Sequence, residues 1–341
     1  MAITLFKPTL RRKDMDNALS CMVSDRVTEG PYHDELVSET NRFLGTAGGV
    51  ALCSYVSSIV LACEIAGLVP GDSVLISPLA PIVYLAAFKR LGLAPVFCDV
   101  DQNTGLLSHE EVDKAITKNP KVIVLHHTLG FVPDMDHFQS LGLPLIEDIS
   151  QALGALWKEA PVGSFGIATL SSLSEENIIT GGGGGLLLVK KKQDLQNLRH
   201  IIDSSMEYVK LFNLNAAVAY SQIRELPHFI ASRQEIAGVF SDALHRTRHT
   251  VLVQKEGGVN IPFSFPVIVE TSVKDARSFA KKKGMDTQMA FNESIITTDD
   301  AIYNEFPNAK SLLLRCVLFP LYPALGRKNV ETIAKVLQAL P

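Results

Sequence analysis

The candidate chemical groups of this sequence lie at the ends of short apolar runs. Asp148 ends the run "PLIED", where a carboxylate can partner a ligand or, as the sequence D-I-S-Q permits, cap a following helix. His126 and His127 end "KVIVLHH" and, taken alone, are ordinary strand-end histidines. Because no His, Cys and Asp residues recur at metal-ligand spacing, we predict no metal site.

The stretch "ATLSSLSEENIITGGGGG", residues 168–185, combines five consecutive glycines with a lack of cations. The glycines resemble a phosphate cradle, but the Lys-Ser/Thr that follows in a P-loop is missing, so we interpret them as a tight turn. Residues 159–189 contain neither lysine nor arginine. Imine chemistry requires an amine, so this stretch cannot supply the nucleophile for it.

The elements that must position these groups alternate between short β-branched runs and helical stretches. Near-continuous apolar strands separated by helices are typical of a parallel sheet covered on both faces, so the predicted fold is α/β, doubly wound or close to it. The predicted strands are "DSVLISP", "APVFCDVD", "KVIVLHHT", "PLIEDIS", "IATLSS" and "GLLLVKK".

After Lys192 the pattern becomes helical, with a helix interruption predicted at Pro227. A smaller α+β unit follows, with "FSFPVIVE" as a strand and "VKDARSFAKKKG" and "RKNVETIAKVLQAL" as helices. We therefore predict a large domain at residues 1–230 and a small C-terminal domain at residues 231–341.

Composition excludes several classes of function. The chain has 341 residues, a net charge of −4 and a pI near 6.1, so it lacks the basic field that nucleic acid requires. The five cysteines are scattered, the N-terminus does not resemble a secretory signal, and the most apolar window is broken by Glu64 and Gly67. We expect a cytoplasmic protein with no membrane span.

In chain order, several segments resemble the DegT/StrS group of sugar aminotransferases, which are fold-type-I pyridoxal phosphate (PLP) enzymes. "SYVSSIVLACEIAGLVPGDSVLISP" is similar to the group's "SGTAAL…GI.PGDEVI.P", and "LIEDISQALGALW" is similar to "VIEDAAQA.GA". "APVFCDVDQNTGLLSHEEVDKAIT", "HHTLGFVPDM" and "CVLFPLYPAL" have counterparts in the same order. The resemblance extends from about residue 26 to the C-terminus and implies a PLP-transferase fold with a large, mostly parallel sheet between helices.

The resemblance also implies a homodimer whose active site binds PLP or pyridoxamine phosphate (PMP) and a small-molecule or nucleotide-sugar ligand. Asp148 takes the position of the carboxylate that binds the pyridinium nitrogen, and Gln151 also matches the group. The phosphate-binding Ser-Gly-Thr is replaced by Ser54, Tyr55 and Val56. A bulky phenol therefore stands where glycine permits close approach to the phosphate.

Of the remaining cofactor positions, one matches the group and two do not. Ser172 matches a phosphate-binding serine, but Ile82 stands where many relatives have a flat ring-stacking side chain. The Schiff-base lysine aligns with Asn177 without gaps, or with Glu176 if one residue is deleted. Neither side chain can form an imine, so we do not expect covalent PLP. Lys158 and Lys190 are expected to lie too far away to replace it. Lys210 falls near the place where relatives send a residue to the partner subunit's phosphate, and we do not expect it to replace the lysine either.

These substitutions leave several hypotheses open. The first is a homologue that has lost amino transfer and binds another ligand or regulates an active paralogue. The second is a lysine-independent PLP or PMP enzyme of the dehydratase type, with Glu176 as the base. The third is a nucleotide-sugar aminotransferase that uses an unrecognised lysine. A ligand-free scaffold is a fourth, and it would have a filled cleft.

Overall fold

The fold is α/β, and the computed structural model describes residues 2–205 and 208–341. Its α-helices are α1 Arg12–Val23, α2 Tyr32–Leu44, α3 Tyr55–Ile65, α4 Val83–Leu91, α5 His109–Ala115, α6 Met135–Ser140, α7 Lys192–Ser204, α8 Asn213–Ile223, α9 Leu226–Leu244, α10 Val273–Lys282, α11 Asp300–Glu305, α12 Pro307–Arg315 and α13 Arg327–Gln338. Its strands are β1 Gly48–Leu52, β2 Ser73–Ile76, β3 Ala94–Phe97, β4 Val122–His126, β5 Leu145–Asp148, β6 Leu156–Trp157, β7 Ala160–Pro161, β8 Ala168–Ser172, β9 Gly185–Val189, β10 Gly258–Val259, β11 Phe265–Ile268, β12 Gln288–Met289 and β13 Cys316–Phe319.

The large sheet has seven strands in the order β1-β9-β8-β5-β4-β2-β3. Strand β9 is antiparallel to both of its neighbours, while the other paired strands run parallel. The prediction of a mostly parallel sheet is confirmed. The six runs predicted as strands form β2, β3, β4, β5, β8 and β9.

Both faces of this sheet are covered by apolar packing. In β4, Ile123 and Leu125 belong to one buried cluster, whereas Val122 and Val124 belong to the cluster on the opposite face. Successive side chains of a strand point to opposite faces, so a strand covered on both sides must be apolar throughout. This explains why its sequence is a continuous apolar run with no polar alternation.

The C-terminal region contains a second, antiparallel sheet in the order β11-β13-β12. Its core includes Val267 and Val317 from the sheet, Phe240 from α9 and Ile333 from α13. The predicted interruption at Pro227 is found at the start of α9, where proline is tolerated because no backbone N–H is needed there. Helix α9 continues across residue 230, and the division into two domains at that residue stays a prediction.

Within the part of the chain that the structure describes, no helix is both long and apolar enough to cross a bilayer.

Candidate functional site

A cavity of about 370 Å³ lies at the carboxyl ends of three parallel strands. His126, Asp148 and Ser172 are the last residues of β4, β5 and β8, and all three line it. In open α/β sheets, ligands bind at this edge, because the loops that follow the strands converge there. The cleft is therefore not filled, which argues against the scaffold hypothesis.

Asp148 lies at the base of this pocket and is fully buried. Its Oδ1 accepts hydrogen bonds from the Ser150 backbone N–H at 2.9 Å and from the Ser150 hydroxyl at 2.5 Å. Its Oδ2 accepts from the Tyr55 hydroxyl at 2.6 Å and the Tyr84 hydroxyl at 2.8 Å. The carboxylate thus both caps the turn after β5 and faces the pocket, although no helix follows it. Four donors of its own chain occupy both of its oxygens.

Tyr55 spans the pocket from the start of α3 to Asp148. Ser54 caps this helix by accepting the backbone N–H of Ser57 at 3.3 Å, which makes Tyr55 the first helical residue. A Cβ on Gly185 would lie 2.7 Å from Ser58 Oγ and 2.8 Å from Tyr55 Cδ2, so glycine at the start of β9 leaves space for both side chains. Burial, and secondarily the negative charge of Asp148, raise the pKa of Tyr55 well above its usual value. The phenol therefore stays protonated and donates to the carboxylate.

The other two residues of this triplet do not reach the pocket wall. Ser54 is exposed, and its hydroxyl serves the helix cap. Val56 packs against the apolar cluster on one face of the sheet. Of the three residues predicted at the phosphate position, only Tyr55 lines the cavity.

Ile82, Gln151 and Ser172 line the pocket together. Ile82 is 47% exposed. Gln151 is held by its Oε1, which accepts the Leu129 backbone N–H at 2.6 Å. The Ser172 hydroxyl shares a hydrogen bond with that of Ser174 at 3.0 Å. These side chains supply a polar wall with one apolar patch.

Both candidates for the lysine position, Glu176 and Asn177, lie on the loop after β8 and line the same pocket. Although Glu176 is exposed as a residue, partial burial of its carboxylate raises its pKa from the ordinary value of 4.5, and the nearby charges of Glu175 and Glu293 add to the rise. The glycines that end this loop turn the chain tightly: Gly181 and Gly183 both donate their N–H groups to the Leu173 carbonyl.

Among the residues of the described chain that line this pocket, there is no lysine and no arginine. Lys158 pairs with Asp136 away from the cavity, and Lys190 donates to the Phe165 carbonyl at 3.3 Å. Lys210 forms a backbone bridge with Leu52 and does not line the pocket.

The two histidines at the end of β4 have different roles. His127 is buried on the other side of the strand, where its Nε2 lies 3.2 Å from Glu147 Oε2. His126 lines the pocket, with Nδ1 3.1 Å from the Thr128 hydroxyl and Nε2 without a hydrogen-bond partner. Burial lowers the pKa of His126, so the imidazole is neutral near pH 7.

Sequence reasoning missed one wall of the pocket. The segment 288–294, which begins with the short strand β12, contributes Gln288, Phe291, Asn292 and Glu293. It is held against the start of α4 by the Ile82 N–H, which donates to the Glu293 carbonyl at 3.0 Å. No local pattern marks this segment, because only the tertiary fold brings it to the sheet edge.

The fold is that of PLP-dependent aminotransferases. One similar solved structure is that of a protein described as a sugar aminotransferase from Streptococcus pneumoniae, in its PLP form: TM-score 0.90, 19% identity, covering 99% of this chain and 98% of that one. Another is GDP-4-keto-6-deoxymannose-3-dehydratase with bound GDP-perosamine: TM-score 0.88, 19% identity, covering 98% of this chain and 100% of that one. At such identities these structures establish the fold alone.

Residues 8–338 match the model of the DegT/DnrJ/EryC1/StrS aminotransferase family, and the chain belongs to that family. A curated relative, the spore coat polysaccharide biosynthesis protein SpsC of Bacillus subtilis (strain 168), is 24% identical and is aligned over 97% of this chain and 95% of its own length. The resemblance inferred from the motifs is therefore confirmed.

Proposed function

We propose that this chain is a family member that does not form a Schiff base with PLP and uses the pocket to bind another small ligand, either for its own reaction or to regulate an active paralogue. The observation that carries the proposal is the hydrogen bond from the Tyr55 hydroxyl to Asp148. This contact places a side chain of the protein between the helix N-terminus and the carboxylate.

The residues present do not fit PLP. The cofactor requires a lysine amine, an available carboxylate for its ring nitrogen, and donors for its phosphate. No lysine or arginine lines this pocket in the described chain, Asp148 is bonded by two tyrosines and Ser150, and the ring of Tyr55 lies at the start of α3. The amine is missing, the carboxylate is already hydrogen-bonded, and the phosphate position has lost its glycine, although the hydroxyls of Ser172 and Ser174 still line the pocket. Together these features support the proposal.

The test is equilibrium binding of PMP to the wild type and to Tyr55→Gly, measured by calorimetry. PMP carries the ring and phosphate but forms no imine with a lysine, so the measurement isolates space and hydrogen bonding from covalent chemistry. We expect no PMP binding by the wild type and measurable binding by Tyr55→Gly, with Tyr84→Phe as the control that keeps the ring of Tyr55. Equal PMP affinity of wild type and Tyr55→Gly would contradict the proposal.

A second candidate function is favoured by Glu176, a carboxylate at the pocket with a raised pKa. In this alternative the chain is a lysine-independent, PMP-dependent enzyme that modifies a keto sugar, with Glu176 as the base. It requires tight PMP binding by the wild type, which the first proposal excludes. A Glu176→Gln variant as active as the wild type would rule it out.

The third hypothesis, an aminotransferase with an unrecognised lysine, requires Lys158, Lys190, Lys210 or another lysine to move into the pocket. A homodimer also stays a prediction drawn from the family resemblance, and light scattering of the purified protein tests it.

A further inference from the structure

The pocket is lined by negatively charged side chains, whereas a site for phosphorylated ligands is usually positively charged. Three carboxylates line the pocket, those of Asp148, Glu176 and Glu293, while no lysine or arginine of the described chain does. Asp148 is stabilised by its four hydrogen bonds, whereas Glu176 and Glu293 form no ion pair within the described residues. An anion in this cavity would meet negative charge that no lysine or arginine of the described chain compensates at the pocket.

A buried polar group points independently to a ligand. His126 Nε2 is buried in the pocket wall without a hydrogen-bond partner, and the side chain is only 3% exposed. Asp148 Oδ2, at 4.0 Å, is too far away to bond it. An unsatisfied polar atom at such a position costs free energy unless a ligand supplies the missing hydrogen bond.

The remaining surface suits a compact polyhydroxylated molecule. The pocket lining includes the hydroxyls of Ser172 and Ser174, which share a hydrogen bond, and the amides of Gln288 and Asn292, which are bonded to each other at 2.6 Å. Phe263 and Phe291 add apolar surface. Uncharged hydroxyl and amide groups can both donate to and accept from ligand hydroxyls. The volume of about 370 Å³ accommodates a single six-membered ring with substituents.

We propose that the pocket selects a small, hydroxylated amine in its protonated form, one that carries no phosphate or nucleotide, with the ammonium group at the mouth beside Glu176 and Glu293. This inference rests on the proposed function, because it assigns to another ligand the pocket that a PLP-binding relative uses for its cofactor.

The test compares three probes of equal ring size that differ in charge: D-glucosamine, D-glucose and D-glucuronate. Binding to the full-length wild type is measured by calorimetry at a pH where the amine is protonated and Glu176 is ionised. We expect glucosamine to bind about tenfold more tightly than glucose, and glucuronate not to bind. Preference for glucuronate, equal affinities for glucosamine and glucose, or no binding of any probe would overturn the inference.

Variants that remove one carboxylate at a time test which negative charge binds the ammonium group. Glu176→Gln and Glu293→Gln should each lower the affinity for glucosamine about threefold or more, with little effect on glucose. Glu175→Gln is the matched control, because Glu175 is the exposed neighbour of Glu176 but does not line the pocket. A loss in Glu175→Gln as large as that in the other two variants would contradict the placement.

The inference and the proposed function fail in different ways. A PLP adduct that borohydride reduces would overturn the proposed function. Preference for the anionic sugar in a protein that forms no such adduct would overturn only the assignment of ligand charge.

Discussion

Strand β5 places two buried carboxylates next to each other, and their surroundings differ. Glu147 accepts backbone N–H groups from Gly163 at 2.8 Å, Phe165 at 2.8 Å and Gly166 at 2.6 Å. Asp148 faces the pocket, and three of its four donors are side-chain hydroxyls. Backbone donors persist whatever side chains the loop carries, whereas a hydroxyl donor changes with one substitution. The hydrogen bonds of Glu147 are therefore retained when neighbouring side chains change, whereas those of Asp148 can be lost by a single substitution.

The largest loss in the free energy of unfolding should come from replacing Glu147. Glu147→Leu leaves three backbone N–H groups without an acceptor, of which those of Gly163 and Gly166 are buried and that of Phe165 is partly buried. Each such loss costs about 1–3 kcal/mol, so we expect destabilisation above about 3 kcal/mol. Urea unfolding measures it, with Glu147→Gln as a milder control that retains one acceptor oxygen. A loss of stability smaller than that caused by Tyr55→Phe would show that the backbone hydrogen bonds to Glu147 do not stabilise the fold as expected.

Substitutions around Asp148 should lower the free energy of unfolding by less. Tyr55→Phe removes one hydrogen bond to a buried carboxylate and leaves the one from Tyr84, so we expect a loss of about 1.5–3 kcal/mol in the free energy of unfolding. Tyr84→Phe is the matched variant, because Tyr84 donates to the same oxygen. An unchanged urea midpoint in both variants would contradict the hydrogen bonds described for Asp148.

A smaller loss of stability is expected when Gly185, which packs against the Tyr55 ring, gains a side chain. A Cβ on Gly185 would meet Ser58 Oγ at 2.7 Å, Tyr55 Cδ2 at 2.8 Å and Tyr55 Cα at 3.0 Å, so Gly185→Ala should destabilise the fold by about 1–3 kcal/mol. Gly238→Ala is the control, since it lies in α9 with nothing within 4 Å of its added methyl group. That control should be neutral or gain up to about 1 kcal/mol. Equal effects at both glycines would argue against a ring packed on β9.

The smallest effect concerns pH. Because the pKa of Glu176 is raised in the folded state, its protonated form contributes stability below its unfolded pKa, and that contribution disappears as pH rises through the folded pKa. Relative to Glu176→Gln, the wild type should therefore lose stability as pH rises from below to above 4.5. Urea unfolding of both proteins across this range tests the sign, and the opposite trend would mean that the carboxylate is stabilised by a cation.

The sequence predicted the sheet well because buried parallel strands have a strong local signature. The family resemblance placed nine residues at one site, and seven of them line the pocket: Tyr55, Ile82, Asp148, Gln151, Ser172, Glu176 and Asn177. Ser54 and Val56 do not line it. The sequence did not predict the bonds from Tyr55 and Tyr84 to Asp148, because these join residues 93 and 64 positions apart. The wall from residues 288–294 was missed for the same reason: its contacts depend on tertiary packing, which no local periodicity encodes.

The most direct test of the central claim is the visible absorbance of the wild type after incubation with PLP, followed by borohydride reduction and mass spectrometry. We predict no protein-bound imine band and no reduced adduct, because no amine of the described chain lines the pocket. A stoichiometric adduct mapped to one lysine would contradict the account and would identify the chain as an aminotransferase with a displaced nucleophile.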